Sequence, residues 1–290
     1  MKLFRYGSHD NEKPGVLWEG KHLSLESFGY DYDADFFANN GIEKLNQWLP
    51  ENASSCNVID LSKARIAPPL IGVSKIVCIG LNYKQHAAES GMDIPNEPIL
   101  FFKSTTAIVG PNDPVMLPKD GHKTDWEVEL AVIIGKKASY VPLETARDYV
   151  LGYTVHNDVS ERSFQLERSG QWVKGKSCDT FAPIGPYLVT YDESHLNPNN
   201  LNLWLKLNGK IVQNSSTSDF IFNIEFLVHY ISQFMTLLPG DIISTGTPSG
   251  VGLGFDPPVY LKSGDTMELG IEHLGTMKQT VIPFSDENYR

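Results

Sequence analysis

A chain of 290 residues that is 41% hydrophobic, 20% charged and 11% aromatic has the makeup of an ordinary globular protein. It is long enough for one large core, or for a large domain beside a small one. The formal net charge of −11 and pI near 5.2 argue against nucleic-acid binding, which needs a basic footprint. No apolar run approaches the roughly 18 residues of a membrane span. Met1–Gly7 lacks the apolar stretch of a signal peptide. The three cysteines, Cys56, Cys78 and Cys178, are far apart and fit reduced thiols better than a disulfide framework or a zinc site. A soluble, acidic, cytoplasmic protein is expected.

Residues 1–65 read as a small leading α+β module. Gly15–Leu25 resolves into two short strands about a turn at Glu19-Gly20-Lys21, and Gly41–Leu49 into a helix capped by Asn40 and stopped at Pro50. The proline-bearing Ala67–Leu70 sets a boundary before a second unit over residues 70–285. That unit opens with a buried strand, Lys75–Gly80, and a helix over Leu81–Gly91 on which His86 and Glu89 share a face. Ile99–Val109 reads as one strand, closed by the turn Gly110–Pro114. Residues 126–134 alternate and then turn continuously apolar, the pattern of a strand entering a core. A helix from Pro142 through Tyr149, a strand over Gly152–Asp158 and a helix over Ser160–Arg168, capped by Ser160, follow. Leu201–Val212 alternates about Asn208-Gly209, a favoured hairpin turn. Over Asp219–Met235, Phe220, Ile224, Leu227, Ile231 and Phe234 step along one helical face. Pro239–Asp241 and Ser263–Asp265 are turns that each precede a strand. Many strands with few scattered helices predict a β-rich α+β fold and not a regular βαβ alternation.

On a strand, side chains two apart share a face, so Glu127 and Glu129 point the same way, and Trp126, Val128 and Leu130 the other. Taken alone, Glu-x-Glu favours the solvent face of a half-exposed strand. With Asp158, 29 residues on and near the end of a neighbouring strand, it also describes a three-carboxylate site for a hard divalent cation. Asn157-Asp158 is equally turn chemistry. The glycine-rich Thr245–Gly254 contains neither Gly-x-Gly-x-x-Gly nor Gly-Lys-Ser/Thr, which excludes a nucleotide loop. It can be a structural loop, or one whose amides and Thr247 hydroxyl face an anionic ligand. His86 with Glu89 suits an oriented general base or an exposed helical ion pair. Lys176 can stabilise an oxyanion or lie on the surface.

These pieces together resemble the fumarylacetoacetate hydrolase family, over about residues 70–285. The matching stretches are Gly80–Glu89, Asp125–Leu130, Asn157–Arg162, Lys176–Pro186 and Leu238–Pro248. Lys2–Gly7 and Glu89–Met92 are similar to its bacterial acylpyruvate and diketo-sugar-acid hydrolase branch. The resemblance implies a mixed β-roll catalytic domain, a homodimer, and Mg²⁺ or Mn²⁺ (Ca²⁺ in crystals) on Glu127, Glu129 and Asp158. It implies that His86 and Glu89 act as the general-base pair, on a segment of about residues 83–95 that closes over substrate. Lys176 matches the family's lysine beside the metal, and Arg162, Gln165 and Thr247 match positions that grip the substrate's carboxylate and carbonyl groups. Cys178 departs from the aromatic residue common after Lys-Ser. The activity implied is hydrolysis of a C–C bond in 2,4-diketo acids, with decarboxylation of oxaloacetate, isomerisation of hydroxydienoates or ureidoglycolate lysis as alternatives on the same site.

Overall fold

The computed structural model describes residues 1–89, 91–191 and 196–285; Ser90, within the expected closing segment, lies outside them. One large sheet organises the chain. Its strands run in the order Lys21–Ser24, Lys13–Trp18, Lys2–Tyr6, Ala182–Thr190, Val150–Asn157, Val128–Ile134, Ile242–Ser244, Ile76–Gly80 and Ile99–Lys103. Adjacent strands on this path are antiparallel except Ile242–Ser244 against Ile76–Gly80. Val128–Ile134 is buried along its whole length, as its apolar run requires of a strand covered on both faces. A second sheet orders Lys210–Ser216, Asn202–Leu207, Thr266–Ile271, Gly275–Ile282 and Val115–Met116, and packs on the central strands of the first in one continuous core. The β-rich α+β architecture is the one expected from the sequence. Lys2–Tyr6 pairs with Ala182–Thr190, so the leading segment extends the same sheet. No helix among the described residues is long and apolar enough to cross a membrane.

The register of two central strands builds the site. Val128 pairs with Asn157 and Glu129 with His156, so the antiparallel ladder carries Glu127 to a position facing Asp158. Asp158 N–H closes the ladder by donating to Glu127 O at 2.9 Å. Two carboxylates 31 residues apart in sequence thereby become neighbours on one face.

Several local expectations are corrected. Pro50 does not stop its helix, which runs Gly41–Asn52 with the proline inside. The proline removes one donor in the final turn, where little helix remains to be disturbed. Asn40 precedes that helix in the left-handed region at φ 56° without a side-chain cap, a conformation asparagine tolerates. Ile99–Val109 breaks after Lys103 into a 3₁₀ turn, Thr105–Ala107, and a two-residue strand. Leu143–Tyr149 is 3₁₀, and Pro142 precedes it. The cap after Asp158 is Glu161, whose carboxylate accepts from Ser163 N–H, on a helix of only Arg162–Leu166; Ser160 belongs to a short bridge with Asp125. The last long helix is Ile224–Ser232, capped by Asn223. Its buried face keeps Ile224, Leu227 and Ile231, whereas Phe220 lies before the helix and Phe234 beyond it is exposed.

The ladder tolerates no side chain at Gly152. A Cβ there would stand 2.2 Å from Val189 O and 2.9 Å from Thr190 Cα, both backbone atoms of the adjacent strand. Gly152→Ala should lower unfolding stability by about 2 kcal/mol or more, read from urea denaturation; an unchanged midpoint would show that these two strands can separate freely.

Candidate active site

Glu127, Glu129 and Asp158 are all buried, and each offers an oxygen such that the three lie within 4.8 Å of one another. The half-exposed strand is therefore excluded. Three cations answer this charge. Arg162 Nη2 stands 2.7 Å from Glu127 Oε1, Lys176 Nζ 2.8 Å from both Glu127 Oε2 and Asp158 Oδ2, and Lys103 Nζ 2.5 Å from Asp158 Oδ1. A fourth carboxylate, Asp125, accepts from Arg162 Nε at 2.9 Å. Four carboxylates against three cations leave one negative charge uncompensated.

That charge falls to Glu129. Its Oε2 accepts from neutral donors, Ser244 Oγ at 2.5 Å and Gly246 N–H at 2.9 Å. Burial, then the carboxylates of Asp158 and Glu127, raise its pKa well above the ordinary carboxyl value, against the opposing pull of Lys176 and Ser244. Asp158, although buried, is held below the usual carboxylate range by Lys103 and Lys176. Lys176 is itself raised: burial acts to lower it, and Asp158 and Glu127 more than reverse that. A buried carboxylate without a cation, beside two more whose oxygens converge, is the donor set of a hard divalent ion. Behind it stands His156, its Nδ1 2.6 Å from Ser244 Oγ and its Nε2 buried without a partner. Burial is the main cause that lowers its pKa to about 3, so the imidazole is neutral. With Glu129 ionised, the Ser244 hydroxyl proton goes to Glu129, and Ser244 Oγ accepts from His156 Nδ1–H.

A cavity of about 440 Å³ opens onto these groups. Of the residues singled out from the sequence, Glu127, Glu129, His86, Glu89, Lys176, Arg162, Gln165 and Thr247 line it, and Asp158 sits just behind, tied to Lys176. His86 Nδ1 lies 3.1 Å from Glu89 Oε2, with both side chains mostly covered. Burial pushes the Glu89 carboxyl up, but the hydrogen bonds from His86 and from Gly250 N–H bring it below its ordinary value. Gln165 accepts from Arg162 Nη1 at 3.0 Å through its oxygen, which leaves its amide nitrogen as a donor. Thr247 gives its hydroxyl proton to Val128 O at 3.0 Å and accepts from Gln213 Nε2 at 2.9 Å.

The glycine-rich loop has a different use from the anion cradle weighed above. Its amides bind the protein's own carboxylates: Gly246 N–H to Glu129, Gly250 N–H to Glu89, and Gly252 and Leu253 N–H to Asp125. Glycine is needed where the loop passes closest: a Cβ on Gly250, at φ +96°, would stand 1.9 Å from Val212 O. Lys103, Asp125, Ser244, His156 and Trp172 join the site without a role expected from the sequence. Lys103 left a signal, a lone cation closing the otherwise apolar run Ile99–Phe102. The others gather through pairings between distant segments and leave none.

The fumarylacetoacetate (FAA) hydrolase C-terminal model matches residues 75–282. A protein of Burkholderia cenocepacia (strain HI2424) is 48% identical over 281 residues, 96% of this chain and 98% of its own length. Among solved structures, fumarylacetoacetate hydrolase from psychrophilic Exiguobacterium antarcticum superposes with a TM-score of 0.85 at 31% identity, covering 98% of this chain and 100% of that one. Maleylpyruvate hydrolase from Sphingobium sp. SYK-6, in complex with manganese(II) ion and pyruvate, gives 0.81 at 30% identity, covering 98% and 100%. A 5-carboxymethyl-2-hydroxymuconate delta-isomerase from Mycobacterium smegmatis gives 0.75 at 34% identity, covering 99% and 100%. The chain belongs to the fumarylacetoacetate hydrolase family.

Lys103 is fully buried against Asp158, and its removal leaves that carboxylate with Lys176 alone. Lys103→Met should cost about 3 kcal/mol or more of unfolding stability, the penalty of breaking a buried pair from one side. A urea midpoint equal to wild type would show that Asp158 does not depend on it.

Proposed function

We propose that the protein is a hydrolase dependent on a divalent metal, Mg²⁺ or Mn²⁺, that cleaves the C3–C4 bond of 2,4-diketo acids. The observation that carries this reading is one cavity onto which both an undercompensated carboxylate cluster and a carboxylate-oriented imidazole open. Glu127, Glu129 and Asp158 would hold the ion. When bound, it supplies a Lewis-acid partner for the substrate's carboxylate and 2-keto oxygens and for negative charge that develops on them.

The chain's own groups do the rest. Two of the three Lys176 N–H groups are spent on Glu127 and Asp158, and the third is left for a substrate oxygen. The Gln165 amide nitrogen is a second donor at the same end of the cavity. Glu89 accepts from His86 Nδ1–H, which fixes the tautomer in which Nε2 is the basic nitrogen. From there His86 takes a proton from a water as that water adds to the C4 carbonyl. The C3–C4 bond then breaks: C4 leaves as a carboxylic acid, and the electron pair stays with C3 as the enolate of pyruvate, which takes up a proton. Lys176 stabilises that enolate oxygen, and Glu89 stabilises the imidazolium in between.

An isomerase reading has one specific support, the likeness to the M. smegmatis delta-isomerase. It uses the same His86 to move a proton along a hydroxydienoate without adding water, and product analysis separates the two: hydrolysis yields two acids, isomerisation one compound of unchanged mass.

For hydrolysis, His86→Ala should cost on the order of 10²–10⁴-fold in kcat on an acylpyruvate, the usual worth of a general base, with Mn²⁺ binding intact. Oxaloacetate decarboxylation, which needs no activated water, should suffer less. Wild-type cleavage by His86→Ala would place the base elsewhere and contradict the mechanism.

A further inference from the structure

Away from the carboxylates the cavity changes character. Lys176 Nζ lies 4.9 Å from the centre of the Phe101 ring, and Trp172 packs edge-on against Phe101 at 5.4 Å. The aromatic wall thus starts beside Lys176 and continues through Phe101 to Trp172. Trp172 is seated over Gly80, where a Cβ would meet its ring at 2.8 Å, and Ile99 completes this wall. Around the mouth stand Met92, Leu166 and Leu253, 52%, 48% and 39% exposed, each from a different segment of the chain. Three exposed aliphatic side chains around one opening form a rim that an apolar group would cover.

Charge in the cavity points the same way. Among the described residues its only permanent cations are Lys176 and Arg162. Arg162 spends its guanidinium on Asp125, Glu127 and Gln165, and Lys176 sits between Glu127 and Asp158. Arg162 is fully engaged, and the one N–H that Lys176 keeps serves the keto-acid end of the substrate in the reading above, which leaves neither for an anion at the tail. Of the charged residues that line the cavity, the one set beside the rim is a carboxylate: Glu89 backs onto Gly254, next to Leu253, so closely that a Cβ there would stand 2.8 Å from Glu89 Cδ.

We propose that the Phe101–Trp172 wall and its aliphatic rim form a tail subsite for an uncharged, chiefly apolar acyl group, so that the substrate is a 2,4-diketo acid with one carboxylate and a second carboxylate at the tail is refused. This rests on the diketo-acid reading above and narrows it. Refusal follows because a tail carboxylate would lose its hydration against aromatic carbon, find no cation and approach Glu89. Maleylpyruvate, named for the Sphingobium hydrolase, is such a two-carboxylate compound.

The test separates recognition from chemistry. Mn²⁺-loaded protein is titrated calorimetrically with 2-oxohexanoate and with 2-oxoadipate, six-carbon 2-keto acids that end in a methyl group and in a carboxylate. The methyl-ended ligand should bind about tenfold or more tightly. Leu166→Arg, which sets a cation on the rim at an exposed helix end, should narrow that ratio. Equal or tighter binding of 2-oxoadipate by the wild type would overturn the proposal, and an unchanged ratio in Leu166→Arg would overturn the placement of the tail at this rim. Turnover of 2,4-dioxoheptanoate against 2,4-dioxoheptanedioate runs in parallel. Preferential cleavage of the first supports both readings. Cleavage of neither, with the 2-keto acid preference intact, would sink the hydrolase reading and leave the subsite standing.

Discussion

Lys176 lies between Glu127 and Asp158, two buried carboxylates set face to face by an antiparallel ladder. Such a pair repels strongly in a poorly polarisable interior, and the fold is possible only because cations reach it from three directions. Lys103 comes from the edge strand of the large sheet, Arg162 from the short helix after Asp158, and Lys176 from the helix Val173–Lys176 that follows. Each is buried and paired with at least one of these carboxylates. Charge balance still stops one short, at Glu129, which has only a hydroxyl and an amide to receive it. Burial and the neighbouring carboxylates raise the pKa of that carboxyl, and a divalent ion would relieve the remaining charge. Stability of the ion-free fold and affinity for such an ion would thus be opposed in this corner of the protein. Protonation of Glu129 helps the ion-free fold below the ordinary carboxyl range, and that contribution is lost as pH rises through the raised value.

The glycine-rich loop links this cluster to the His86–Glu89 pair. Gly246 holds Glu129, Gly252 and Leu253 hold Asp125, and Gly250 holds Glu89, which in turn holds His86. Trp126 adds a further tie by donating from Nε1 to Gly250 O at 3.0 Å. One loop therefore sets the carboxylate cluster and the imidazole relative to each other. A displacement there moves both, and both the hydrolase and the isomerase readings depend on that alignment.

The strand Val128–Ile134, expected two residues longer at its start, was legible because its apolar run has no other use, and Glu127 and Glu129 were legible because a period of two puts them on one face. The Asn208-Gly209 hairpin was equally plain, since turn and alternation agree. Burial of the glutamates was not legible: an isolated Glu-x-Glu reads as a solvent face, and only cations contributed by distant segments make its burial tolerable. Asp125 stood inside a recognised stretch without a role, because its partners, Arg162 and the amides of residues 252–253, lie 37 to 128 positions away. Local rules also overreached where tertiary packing decides. The helical period over Asp219–Met235 ran past both true ends, and Pro50 was tolerated in a final turn that local rules would have cut.

The central claim is that Glu129 carries charge reserved for a cation. Calorimetric titration of Mn²⁺ into ion-free protein, wild type beside Glu129→Gln, tests it most directly when each sample's urea midpoint is also measured. The account expects one site in the wild type, affinity lower by on the order of 10²-fold or more in the variant, and an ion-free variant at least as resistant to urea as wild type. Undiminished Mn²⁺ affinity in Glu129→Gln, or a marked loss of its ion-free stability, would contradict it.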